Sequence, residues 1–456
     1  MRQRLFLGIP AFPLRPLEIA IMVILIAACS QLGYVGHPRY GPFIAIADVL
    51  CVLIAPFWIF RVIRSGRLKK LHWPPAALGA LFITGVLSLS RVCFDDEGAL
   101  SLSNIKSGVI EIAQLALYFG FAWMLFVDVL NNASKLARAM VVMLIFVSLS
   151  VIWALYQYVS QPDLMKVCAG FGNRNVYCAF LTVVLPLFFG IALYGKFDFM
   201  RPWVYILCVL AAITMVGPPH IWILTGILCW LTWLRGGRSR LVIIPITLAA
   251  VLLINTGLPK NQTSNISGFF DVIERGELHK LEISETPDNT GNVEEGTAAD
   301  TAPEGVSVVK KRWIEWQPAL NMLADNLPLG VGAGAYQRKI GEAQYYGALP
   351  NLNKTEPDTN NLYLVIGASL GLLGLISLLS FMLHFGYMAS NLWLRAQGAL
   401  QRSLVAGLYG AVIGIWATNL FTSLLVRGVA IIWAFIFAAI YVIFCETPKE
   451  SEVSNK

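Results

Sequence analysis

Charge is the scarcest commodity in this chain of 456 residues: only 13% are Asp, Glu, Lys or Arg, while 57% are hydrophobic and the mean hydropathy is +0.66. A soluble domain carries roughly 25% charged residues, so that class is excluded. Histidine is rare too, with five in the chain. Also missing is the alternation over about 10 residues that marks outer-membrane barrel strands. The first apolar segment follows Arg2, Arg4 and Arg15 without a small-x-small cleavage site, so it is expected to be retained as a span. The formal charge of +7 is scattered over short loops and is no nucleic-acid signal. Five of the eight cysteines (Cys29, Cys51, Cys178, Cys208 and Cys229) fall inside apolar segments, where they read as small packing residues.

What the chain has in abundance is apolar runs long enough to cross about 30 Å of hydrocarbon as helices. Twelve are expected: 17–35, 42–63, 74–90, 108–130, 139–159, 176–194, 203–216, 221–234, 241–255, 361–387, 404–420 and 429–444. The seventh and eighth, joined by "GPPH", read either as a tight hairpin or as one re-entrant unit. Lys and Arg divide unevenly among the short loops. One set holds Arg2, Arg4, Arg15, Arg61, Arg64, Arg67, Lys69, Lys70, Lys135 and Arg138, and continues in the same way to the C-terminus. The other set holds only Arg39, Arg91, Lys106, Lys166, Arg174 and Arg427. This asymmetry predicts that both termini are cytoplasmic. The expected fold is therefore an all-α integral membrane protein of about twelve transmembrane helices.

Three regions follow: 1–255 with helices 1–9, an extracytoplasmic loop over 256–360, and 361–456 with helices 10–12 and a cytoplasmic tail. A loop of roughly a hundred residues is too long for a passive connection. Its part near 284–307 ("SETPDNTGNVEEGTAADTAPEGVS") is acidic and nearly free of aromatics, and reads as a disordered insert. The flanking stretches "FFDVIERGELHKLEI" and "VVKKRWIEWQPALNMLADN" have amphipathic helical patterns.

In the second stretch, Lys310, Lys311 and Arg312 precede Trp313 and Trp316. Such a basic-aromatic helix reads as an interfacial anchor. Equally it reads as an anion site, in which Arg grips a phosphate and Trp stacks on a sugar or isoprenoid. The stretch "NLPLGVGAGAY" follows, with Gly330, Gly332 and Gly334. No strand precedes it and no acidic residue is placed as a dinucleotide fold requires, so the Rossmann reading fails. Glycines there bring backbone close to a helix or a ligand, or make a tight turn. Outside the cytoplasm ATP is excluded, and the diphosphate on offer is that of a lipid carrier.

These residues together resemble the O-antigen ligase and O-antigen polymerase superfamily of membrane glycosyltransferases. Arg312 and Trp316 stand at that family's Arg-x-x-x-Trp helix. Asn326, Pro328, Gly330, Gly332 and Gly334 match its glycine turn, and Asn361, Tyr363, Leu364, Leu370 and Gly371 match much of the segment leading into helix 10. Upstream, Gly170, Gly172, Asn173 and Asn175 resemble the lead-in to its sixth span, with Arg174 where the family often has Pro. The resemblance implies transfer of a glycan from a polyprenyl diphosphate to a lipid or glycan acceptor, in a bacterial inner membrane. It implies neither metal nor nucleotide cofactor, and no nucleic-acid partner beside the membrane lipids.

The chain departs from the family at three places. Asn360 stands for its histidine, Ser369 for its glutamate, and "MVGPPHIW" lacks its Ser-Arg pair. Asn cannot take a proton from an acceptor hydroxyl. A rebuilt site would use Asp358, Glu356 or Glu315 as base, with Arg174, Lys311 or Arg338 supplying the second positive charge and Arg312 stabilising the leaving group. His220 is a further substitute. Alternatives remain open: a degenerate member that binds lipid-linked glycan without transferring it, or a transporter. Each residue also has a plainer reading. Asp358 and Asn360 suit a helix N-cap, and Arg338 and Lys339 a solvated face or pairing with Glu342. Among ionisable residues inside spans, Glu111 is expected near the outer end, while Asp128 snorkels at the other, and Asp48 lies in the second span. Cys93 and Cys168, both in outward loops, are either bonded to each other or free.

Overall fold

The computed structural model describes residues 15–31, 34–35, 44–67, 71–92, 102–160, 167–195, 200–215, 219–237, 239–256, 308–341, 345, 359–423, 425 and 428–447. They form a predominantly α-helical bundle, consistent with a multi-pass membrane protein. Its helices are α1 (Pro16–Ser30), α2 (Ile46–Arg64), α3 (Ala76–Ser88), α4 (Leu102–Leu115), α5 (Trp123–Val129), α6 (Ala133–Ser160), α7 (Arg174–Tyr194), α8 (Met200–Thr214), α9 (His220–Arg235) and α10 (Ser239–Thr256). After the long loop come α11 (Val308–Asp325), the single turn α12 (Tyr336–Lys339), α13 (Leu362–Arg395), α14 (Ala399–Thr418) and α15 (Ala430–Glu446). A π-helical stretch, Ala116–Ala122, joins α4 to α5.

Among the described residues six stretches are long and apolar enough to cross a membrane: Ile46–Arg64, Ile105–Val129, Ala133–Ser160, Arg174–Tyr194, Leu362–Arg395 and Ala399–Thr418. Each of the predicted apolar runs contains helix, with shifted ends. The first helix stops at Ser30, where Gln31 turns left-handed (φ 49°). Tyr34–Val35 then pair antiparallel with Ile44–Ala45, so the end predicted at 35 lies in a ribbon. The seventh and eighth runs are separate helices, α8 and α9.

Helix α7 is the axis of the molecule and is wholly buried. Small residues let α14 approach it at backbone distance. A Cβ on Gly407 would meet the Leu187 carbonyl oxygen at 2.5 Å, and one on Gly414 the Thr182 carbonyl oxygen at 2.7 Å. Where lipid tails are as apolar as leucine, this close packing replaces the hydrophobic drive between helices. The periphery is correspondingly apolar, with Leu53, Phe57 and Phe60 on α2 and Leu241 and Leu253 on α10 exposed.

Polar side chains collect at the two ends of the bundle. At one end Glu18 pairs with Lys135 (3.4 Å) and Arg138 (3.5 Å). There too Asp128 accepts from Trp58 Nε1 at 3.0 Å and lies 3.9 Å from Arg67, and Glu446 accepts from the Ala133 amide at 3.1 Å. At the other end Gln157 Oε1 accepts from the amides of Cys168 (3.1 Å) and Ala169 (2.8 Å). Arg67, Lys135 and Arg138, from two of the Lys- and Arg-rich loops, thus lie at one end. Asp128 is paired rather than merely reaching for solvent.

Candidate functional site

The site is assembled from α11, the turn 326–335 and the first half of α13. One face of α11 carries Ala319 and Met322, which pack with Val331, Tyr336, Ile340, Tyr345 and Ala368 into a small core of their own. Asn326 closes the helix: its carbonyl accepts from the Gly330 amide at 2.8 Å, and its side-chain amide donates to Met322 O (2.9 Å) and Tyr345 Oη (3.3 Å). Arg91 Nη2 donates to Asn326 Oδ1 at 3.3 Å.

The glycine turn is built for contact with backbone. Gly330, Gly332 and Gly334 have φ of +70°, +103° and +76°, a region open to glycine at no steric cost. A Cβ on Gly330 would strike the carbonyl of Ala368, and one on Gly332 would come within 2.9 Å of the Ser88 carbonyl. One on Gly334 would meet Ser107 and Gly108. The turn's amides are spent inside the protein. Val331 donates to Ala368 O and Gly332 to Ser369 O, both at 2.9 Å. Ala333 donates to Ser88 Oγ at 3.1 Å, and Gly334 to Glu111 Oε2 at 2.7 Å. With its donors engaged in this way, the turn is not a phosphate cradle.

Its partner is a break in α13. Gly371 adopts φ 70°, ψ −169° inside the helix, interrupting the i to i+4 ladder. The carbonyls of Ala368 and Ser369 lose their helical donors there, and the glycine turn supplies replacements. Without water, each such group left unpaired costs several kcal/mol, so the break and the turn require each other.

The half-helix 362–370 is held at its start by three further contacts. Asn361 is the N-cap, its Oδ1 accepting from the amides of Tyr363 (3.0 Å) and Leu364 (3.2 Å). The Leu362 amide donates to Asn419 O at 2.9 Å, and Tyr363 Oη to Trp416 O at 2.8 Å. Before the cap, Asn360 takes a left-handed φ of 49°, which Asn tolerates, and Thr359 bonds Tyr336 through both its amide and its hydroxyl.

Between α11, α13 and α14 lies an open, apolar groove of about 710 Å³, lined by Trp316, Leu320, Asn361, Tyr363, Leu364, Leu375, Leu379, Ile413, Trp416, Ala417 and Leu420. Gly386 makes room for the Trp416 ring, whose Cζ2 would lie 2.5 Å from a Cβ there.

The other sequence-derived candidates divide into those near this groove and those apart from it. Arg312 and Lys311 lie on α11, Arg312 one turn before Trp316; their side chains are outside the described ones. Trp313 is exposed, and Glu315 is buried on the Ala319 side of the helix. Arg338 is exposed on α12. Asp358, Glu356, Glu342 and Cys93 lie outside the described residues, while Cys168 is half-buried. Arg174 stands apart from the groove. Buried at the first turn of α7, it donates through Nη2 to Thr214 O (3.0 Å) and through Nη1 to Val167 O (3.5 Å). Next to it Asn173 caps α7, accepting from Asn175 and Val176. His220 opens α9, fully buried, with Nε2 3.2 Å from Thr422 Oγ1. Among the described residues no three His, Cys, Asp or Glu side chains are placed to hold a metal ion.

Sequence reasoning passed over Trp416, Ser88 and the anchoring role of Glu111. Glu111 had a signal, being an acid inside a span; Trp416 and Ser88 had none. No protein-family model matches the chain, and no curated protein matches it.

Proposed function

We propose that this chain is a twelve-span membrane glycosyltransferase that moves a glycan from a polyprenyl diphosphate to a hydroxyl of a lipid or glycan, working at the outer face of a bacterial inner membrane with both termini inside. The observation that carries the reading is that two motif-bearing segments, α11 and the half-helix after Asn361, line one apolar groove, while the glycine turn bonds the carbonyls at the end of that half-helix. In this reading the groove takes the hydrocarbon tail of the donor, and Trp316 lines it. Arg312, one turn along α11, neutralises the departing diphosphate. The acceptor oxygen bonds to the anomeric carbon as the bond to the diphosphate oxygen breaks, and the hydroxyl proton passes to a carboxylate, Glu315 or Asp358.

Arg312→Ala should abolish transfer from a lipid-linked oligosaccharide while leaving expression and detergent stability unchanged. Transfer retained by that variant would remove Arg312 from the mechanism. A second reading, binding without transfer, draws on Asn360, whose amide cannot act as a base. It predicts tight donor binding with no product, and gain of product in Asn360→His.

A further inference from the structure

The end of the bundle away from the glycine turn carries a feature that the proposed reaction does not use. Helices α9 and α10 are joined by a short turn in the run "WLRGGRSRL". Arg240 Cζ sits 5.1 Å from the centroid of the Trp233 ring. Both side chains are exposed, Trp233 by 61%, and immediately beyond them Leu241 (72%) and Val242 (56%) face outward. Arg235, also exposed, lies near Tyr194 and Tyr205. The ion pairs among the described residues engage Arg67, Lys135 and Arg138, so neither Arg235 nor Arg240 has a carboxylate partner there. Between them, a Cβ on Gly236 or Gly237 would meet nothing within 4 Å, and Arg238 lies outside the described residues.

A short stretch of chain thus carries an exposed indole, two guanidinium groups with no acidic partner among the described residues, and an outward aliphatic skirt. An anionic phospholipid offers a complement to each: phosphate, ester region and hydrocarbon. Guanidinium grips phosphate through paired N–H donors, indole settles at the interfacial level, and leucine and valine meet the acyl chains. A soluble acidic partner would leave the aliphatic skirt uncovered, and a free phosphate would use neither the indole nor the skirt. We propose that the α9–α10 turn is a binding site for one anionic phospholipid, held by Arg235 and Arg240 with Trp233 beside them. The site does not depend on any transfer reaction.

The full-length protein, purified and stripped of lipid in detergent, would be titrated with dioleoylphosphatidylglycerol, dioleoylphosphatidylcholine and inorganic phosphate, counting bound molecules by native mass spectrometry. With both arginines contributing, the anionic lipid should be retained roughly thirtyfold more tightly than the zwitterionic one. The double variant Arg235→Gln/Arg240→Gln should hold one anionic lipid fewer, and Arg235→Lys/Arg240→Lys should keep part of the preference. Both positions changed are exposed, so folding is expected to survive; an unchanged thermal midpoint checks it. Equal retention of the two lipids, an unchanged count in the Gln variant, or displacement of the lipid by millimolar phosphate would each overturn the assignment.

Discussion

Gly371 shows how much a single residue carries in this protein. Its left-handed backbone lies against Pro328, and a Cβ there would collide with the Pro328 carbonyl. Gly371→Ala would therefore combine backbone strain of about 1–3 kcal/mol with that collision. It should lower the thermal midpoint in detergent far more than Gly79→Ala, since Gly79 has nothing within 4 Å of a Cβ. Equal midpoints for the two variants would show that the break in α13 is not anchored by the turn. Asn361 makes a milder case. Removing its cap in Asn361→Ala should cost about 1 kcal/mol of stability. Asn360→Ala should cost less by this route, because the N-cap is Asn361 and not Asp358 or Asn360, the residues expected from the sequence. At this scale the glycines were legible as demanding close backbone approach. Their partners were not, because Ser88, Gly108 and Ala368 are ordinary residues in distant helices.

Among the elements, the pair α7 and α14 should be the least tolerant of bulk. Gly407→Leu would force the two helices apart over their contact, and the expected outcome is loss of folded protein in detergent, read as aggregation on size exclusion. The same change at Gly79, on α3, should be tolerated. The apolar runs made the existence of each helix legible, since a backbone without water must satisfy its own hydrogen bonds. Ends were less legible. A helix such as α6, Ala133–Ser160, extends past its apolar run because Asn132 caps it, its Oδ1 accepting from the Lys135 amide at 2.9 Å. Nor does hydropathy show that α13 is broken, because Gly371 is flanked by leucines on both sides of the break.

For the whole molecule, the division of basic residues between loops and the clustering of polar contacts at two ends lead to a testable arrangement. Membrane-impermeant thiol labelling of single cysteines placed at Arg67 and Lys135 should give one result, and at Arg91 and Lys106 the opposite one. Mixed labelling within either pair would break the arrangement. The candidate site was partly legible in the same way: residues from α11, the glycine turn and the start of α13 were grouped from their motifs, and the structure brings those segments together. Arg174 was grouped with them on its charge and its place in the Asn-rich turn, and neither reports that its guanidinium donates to the carbonyls of Val167 and Thr214. The most direct measurement of the central proposal is transfer by the purified wild-type protein. It would receive lipid-linked oligosaccharide from its own source, with a membrane extract as acceptor and a chelator present. The account predicts a glycosylated product in proportion to released polyprenyl diphosphate; donor that is bound but stays intact across several acceptor extracts would contradict it.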